Sequence, residues 1–181
     1  CLKLMDVDPI RCRLELTSQG KILKDIINEL RNMIYNLRPM SFDDIGFNIT
    51  VERALDKLRN SNNIRCNFKI SGDEYMVDSL VSLTLLRVIQ EACSNSIKHG
   101  HAKEINVSLK YEPKSLTLTI KDDGDGFDTS AIPEFTRDDN SGFGLSMMKE
   151  RIYLLSGKIS ISSRPGEGCI VNVIIPVNKE D

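Results

Sequence analysis

Three short stretches hold residue types whose spacing suits chemistry as well as packing. The first is Glu91-Ala92-Cys93-Ser94-Asn95-Ser96-Ile97-Lys98-His99. On a helix, Glu91, Asn95 and Lys98 fall at i, i+4 and i+7 and share one face. Asn is a poor helix former. Its amide oxygen nevertheless suits a hard cation such as Mg²⁺, which takes its other ligands from water and phosphate. A lysine one turn on suits a phosphate. Taken alone, the stretch also reads as a solvated helix face. The second stretch is Asp122-Asp123-Gly124-Asp125-Gly126-Phe127. Its glycines permit positive φ and close approach by a ligand. A carboxylate held there can accept a hydrogen bond from an exocyclic amine; a plain Asp-Gly turn has the same composition. The third is Gly142-Phe143-Gly144-Leu145. Glycines that open a helix present backbone N–H groups to phosphate, although Gly-x-Gly alone equally describes a tight loop.

The elements that position these stretches follow from periodicity. A long amphipathic helix is expected from about residue 77 to 98, with Leu85, Val88, Ile89, Ala92, Cys93 and Ile97 on its inner side. Before it, Ile64, Cys66, Phe68 and Ile70 alternate as a strand closed by Ser71-Gly72-Asp73. After it come strands over 105–111 and 116–122, joined across Pro113. Residues 124–141 are polar and glycine-rich and read as a mobile loop. A helix over about 143–155 and strands over 159–163 and 169–176 close the chain, the strands parted by an Arg164–Gly168 turn. A further helix is expected over 41–60, with Ser41 or Asp43 as N-cap and Val51, Ala54, Leu55 and Leu58 on its apolar face. Helices interleaved with strands imply an α/β sandwich, helices on one face of a mixed sheet.

Residues 1–40 read differently. Leu16, Leu23, Ile27, Leu30, Ile34 and Leu37 form a narrow a/d seam, with Gly20 in the weak slot, and Arg38-Pro39 stops the helix. So narrow a seam suits a helical bundle or dimer; docking on its own domain is the plainer alternative. The expected division is a partial helical hairpin, 1–40, and a domain, 41–181.

Composition excludes several classes. With 26 acidic and 24 basic side chains in 181 residues, the net charge of −2 gives no basis for bulk binding to nucleic acid or anionic membrane. No apolar run reaches the length of about 18 residues that a membrane span needs, and no signal peptide is present. The first residue is Cys1, so the chain is expected to begin inside a longer, cytoplasmic protein, with any membrane segment elsewhere. The five cysteines show no CxxC pairing and sit in apolar patterns, which suits reduced core thiols.

The order of the three stretches carries more than each alone. An Asn-bearing helix, a strand, Asp-x-Gly-x-Gly, a loop, Gly-x-Gly and a helix resemble the N, G1 and G2 boxes of the GHKL (Bergerat-fold) ATP-binding superfamily, over about residues 75–177. That superfamily includes histidine kinases, gyrase-type topoisomerases, Hsp90 and MutL. The run Gly142-Phe143-Gly144-Leu145-Ser146-Met147-Met148-Lys149-Glu150-Arg151 resembles the Gly-x-Gly-Leu-x-x-Met-x-Glu-Arg run of histidine kinases that pair with NarL-type regulators. Leu37-Arg38-Pro39, followed by Gly46, resembles the segment joining their dimerisation helices to their catalytic domain. The degradative-enzyme sensors and the LiaS/DesK-like sensors are the subgroup in question.

The resemblance implies ATP and Mg²⁺ as ligands, phosphoryl transfer to a histidine and then to a response-regulator aspartate, and a homodimer built through the helical hairpin. It implies that Asn95 ligates Mg²⁺, Lys98 contacts phosphate and Asp123 reads the adenine amine. Gly124 and Gly126 would make room for the base, while Gly142, Phe143, Gly144 and Leu145 would fold with the loop over the triphosphate. Glu91 matches the N-box acid. His99 fits either nucleotide contact or a helix C-terminus stabilised by the dipole. Two departures stand out. Cys169 follows Gly168 where many members carry a Thr that helps bind the base. The His-Asp phosphoacceptor box is absent, since the only histidines are His99 and His101. The competing readings are another GHKL ATPase or anti-sigma serine kinase, and an ATP-binding interaction module without turnover.

Overall fold

Alternating side chains decide which face of each strand is covered, and amphipathic helices supply the cover. A computed structural model describes residues 46–129 and 143–177, which belong to the second of two compact units, Ser41–Asp181. The helix expected over 1–40 and the division after it lie outside the described residues.

Helix α1 (Phe47–Asn62) buries Phe47, Val51 and Leu55, one stripe at i, i+4 and i+8. It starts after Gly46 (φ 84°) without a side-chain cap. Ser41 and Asp43, the expected caps, precede this start and lie outside the described residues. The helix ends at Asn63 in the left-handed region, which Asn tolerates. Strand β1 (Arg65–Ser71) follows. Helix α2 (Ser79–Lys98) is capped by Asp78, whose Oδ1 accepts the N–H groups of Leu80 and Val81. Then come β2 (Glu104–Glu112), β3 (Ser115–Asp122), α3 (Phe143–Leu154), β4 (Lys158–Ser163) and β5 (Cys169–Pro176).

The five strands run in the order β1-β2-β3-β5-β4. β1 lies parallel to β2, a pairing that needs a crossover, and α2 provides it. The other three pairings are antiparallel. Ile105, Val107 and Leu109 on β2, Leu116, Leu118 and Ile120 on β3, and Val171, Val173 and Ile175 on β5 all face the core. Leu85, Val88, Ile89, Ala92 and Cys93 of α2 join them, with Met148 and Ile152 of α3. The expected sandwich, with helices on one face of a mixed sheet, is what the structure shows. Element bounds differ from the expected ones by a residue or two, except at the start of α1. Among the described residues no helix is long and apolar enough to cross a membrane.

Candidate nucleotide-binding site

The inward alternation of β3 runs Leu116, Leu118, Ile120 and then Asp122. The last apolar slot is thus filled by a carboxylate that is only 5% exposed. Burial on this scale requires partners, and three are present. Asp122 Oδ2 accepts the Ser96 hydroxyl at 2.6 Å. Oδ1 accepts the N–H of Gly124 at 2.9 Å and that of Cys169 at 3.2 Å. The ends of α2 and β3 and the start of β5 therefore converge on one carboxylate.

Asp123, the expected base reader, faces the other way. Its carboxylate accepts the N–H groups of Lys103 and Glu104, each at 2.8 Å, and it stands exposed at the start of β2. These hydrogen bonds, that of Glu104 foremost, hold its pKa below the usual range. Of the two adjacent carboxylates, Asp122 is the one turned to the helix-covered side, beside the end of α2. The sequence held the signal, because a strand with 116, 118 and 120 inside must also put 122 inside.

Two glycines of the turn stand close against backbone. A β-carbon at Gly124 would stand 2.4 Å from the Gly100 carbonyl oxygen, and one at Gly126 (φ 63°) would stand 2.0 Å from that of Arg164. The lack of a β-carbon at these positions admits neighbouring backbone. The same loop is tied on both sides. Asp125 N–H donates to Gly100 O at 2.7 Å, Gly166 N–H to Asp125 O at 2.6 Å, and Phe127 N–H to Ser163 Oγ at 2.9 Å. The start of the segment expected to be mobile, residues 124–127, is therefore anchored. Residues 130–142, Gly142 included, and the side chain of Phe143 lie outside the description.

Toward the end of α2, Glu91 and Asn95 are half-buried neighbours. Asn95 Nδ2–H donates to Glu91 Oε1 at 3.2 Å, which turns the amide oxygen away as a free acceptor. A β-carbon at Gly144 would stand 2.0 Å from Glu91 Oε1, so the first turn of α3 packs directly on this pair. Leu145 is half-buried against the core. Lys98 is exposed in the last turn of α2, and His99 is its C-cap, donating its backbone N–H to Asn95 O. His101 Nδ1 meets Asp125 Oδ2 at 2.7 Å on the surface. Among the described residues no group of three or more His, Cys, Asp or Glu could hold a metal ion. An amide oxygen shared with phosphate and water is the kind of donor that Mg²⁺ accepts, so Asn95 fits.

Cys169 lies on the inner face of β5, in line with Val171 and Val173. Its backbone N–H, not its thiol, reaches Asp122. Burial, with the Asp122 charge second, pushes the thiol pKa up to about 11. Ser96 was not anticipated as a site residue. It continues the buried stripe 85, 89, 92 of α2, and a hydroxyl in that stripe was the available signal.

Residues 81–179 match the family described as Histidine kinase-, DNA gyrase B-, and HSP90-like ATPase. The chain belongs to this family. ATP binding comes with that membership. It is 32% identical over 167 residues to the Signal transduction histidine-protein kinase/phosphatase DegS of Brevibacillus brevis, covering 92% of this chain and 42% of that protein. It is 33% identical over 178 residues to an uncharacterized sensor-like histidine kinase of Chloroflexus aurantiacus, covering 97% and 30%. The chain thus spans less than half the length of these curated relatives. The catalytic domain of histidine kinase ThkA superposes with a TM-score of 0.56 at 18% identity, over 72% of this chain and 89% of that one. The histidine kinase domain of the Erythrobacter litoralis EL346 blue-light activated histidine kinase gives 0.53 at 20%, over 72% and 60%. At such identities the likeness shows the shared ATPase fold.

Proposed function

We propose that this chain is the part of a sensor histidine kinase that holds Mg-ATP and presents its γ-phosphoryl group to a histidine on a separate helix. From there the phosphate passes to an aspartate of a response regulator with a NarL-type DNA-binding domain. The observation that carries the reading is the buried Asp122–Ser96 pair at the end of the same helix that bears Asn95. Asp122 accepts an N–H of the adenine amine. Asn95 offers its amide oxygen to Mg²⁺, and the bond to Glu91 holds that amide in orientation. Lys98 meets the phosphates, and the first turn of α3 at Gly144 adds backbone N–H groups. Mg²⁺, when bound, neutralises charge on the β- and γ-phosphates. What the chain itself supplies is positioning, the larger part of phosphoryl-transfer catalysis.

Neither histidine of the chain suits the role of acceptor. His99 caps the helix that carries the metal ligand, and His101 is engaged by Asp125. A homodimer through a cytoplasmic helical hairpin, of which residues 1–40 supply the second helix, brings the acceptor to the site. The test is incubation with γ-labelled ATP and Mg²⁺, with binding followed by calorimetry. The expected result is ATP binding without acid-labile label on this chain, and labelling once a first hairpin helix with its histidine is added. Stoichiometric acid-labile label on the chain alone, lost on His99→Ala, would overturn the reading.

A further inference from the structure

A carboxylate offers about four acceptor positions, two on each oxygen. On Asp122 three are taken. The N–H groups of Gly124 and Cys169 fill Oδ1, and Ser96 takes one position on Oδ2. The Ser96 hydroxyl stands 3.0 Å from the Ala92 carbonyl oxygen and 2.6 Å from Asp122 Oδ2. Having one hydrogen, it gives it to the nearer, charged acceptor. Ser96 is 7% exposed and Asp122 5%, so no bulk water competes for the bond.

We infer that Ser96 is a positioning residue for base recognition: by occupying one side of Oδ2 it leaves Asp122 a single acceptor position, which takes one N–H of a 6-aminopurine. This rests on the reading in which Asp122 faces the base. Selectivity follows from the count. A 6-amino group donates into the remaining position, whereas a 6-oxo group sets an acceptor against an acceptor. Without the Ser96 hydroxyl, Oδ2 has two vacant positions. The carboxylate then draws in water or turns, and the direction from which it reads the amine is no longer fixed. Cys169 cannot replace the hydroxyl, because a thiol is a weak donor.

The experiment compares ATP and ITP on the unmutated chain and on Ser96→Ala by calorimetry, with thermal unfolding as a control. The two nucleotides share ribose and triphosphate, so the ratio of their affinities isolates the C6–N1 edge of the base, where ITP carries a 6-oxo group and an N1–H in place of the 6-amino group and the acceptor N1. The expected result is that Ser96→Ala weakens ATP about tenfold, the scale of one hydrogen bond to a charged group, and leaves ITP within about twofold. Ser96→Cys, which keeps a γ-atom in place of the hydroxyl and loses the strong donor, should behave in the same way and serves if the alanine variant does not fold. An unchanged ATP-to-ITP ratio in the variants, or equal weakening of both nucleotides, would overturn the role of Ser96 while leaving ATP binding intact. An unmutated chain that shows no preference for ATP over ITP would overturn the placing of Asp122 at the base, and the inference with it.

Discussion

The two faces of the sheet use the same polar chemistry to different ends. On the open face, side chains bond across strands in contact with water: Thr119 to Asn172 at 2.9 Å, Asn67 to Asn106 at 2.9 Å, Ser115 and Thr117 to Glu112. Each such bond replaces one to solvent and contributes little. On the helix-covered face the buried positions of β2, β3 and β5 are apolar except Asp122, and its partner Ser96 comes from the helix above. There an unmet polar atom costs the full desolvation penalty, so a satisfied pair is strongly determined. Asp122 and Asp123 are the narrowest form of the comparison: adjacent, identical in chemistry, and assigned to opposite sides by strand alternation.

The most decisive way to break the comparison is to neutralise each of the two. Asp122→Asn should abolish detectable ATP binding in calorimetry, since the amide presents an N–H to the base and strands its buried neighbours. Asp123→Asn should bind ATP within about twofold of the unmutated chain. Reversed outcomes would return Asp123 to the base. Next in size, Asn95→Ala should bring the affinity with Mg²⁺ down to the value measured with EDTA, because the protein's cation ligand is gone. A variant that keeps the full Mg²⁺ increment removes Asn95 from the metal.

A smaller effect is expected in stability. The Asp123 carboxyl is held below its unfolded pKa, so its contribution is present above about pH 4 and fades as pH falls through the folded value. Asp123→Ala should therefore lower the unfolding free energy near neutrality by well under about 1 kcal/mol, given its exposure. The gap to the unmutated chain should close in acid. A gap of constant size from pH 7 to pH 2 would mean that the charge is not its source. Smallest of all, Thr119→Val on the open face should change stability by no more than about 0.5 kcal/mol and leave ATP affinity untouched. A loss of 2 kcal/mol or more, roughly the scale of a buried site, would mean that the two faces do not differ as described.

Periodicity made the covered face legible. The apolar slots of 105–111, 116–122 and 169–176 and the inner side of α2 were readable because burial repeats every second residue in a strand and along one stripe of a helix. Which of the two carboxylates lies inside was less legible, because the glycines draw attention to the turn and away from the phase of the strand before it. The purpose of Gly124 and Gly126 was not readable, since it depends on carbonyl groups of Gly100 and Arg164 that only the fold brings close. Ser96 was overlooked for a related reason. A serine beside Asn95 carries no sign of its partner until β3 is laid under α2.

The burial of Cys169 has a consequence for how the protein meets oxidants. Peroxide, disulfides and alkylating agents react with the thiolate, not the thiol. A pKa of about 11 leaves roughly one molecule in ten thousand in that form at neutral pH. A cysteine beside the Asp122 carboxylate thus packs as a small apolar side chain. Its place in the fold therefore favours packing over reaction with oxidants.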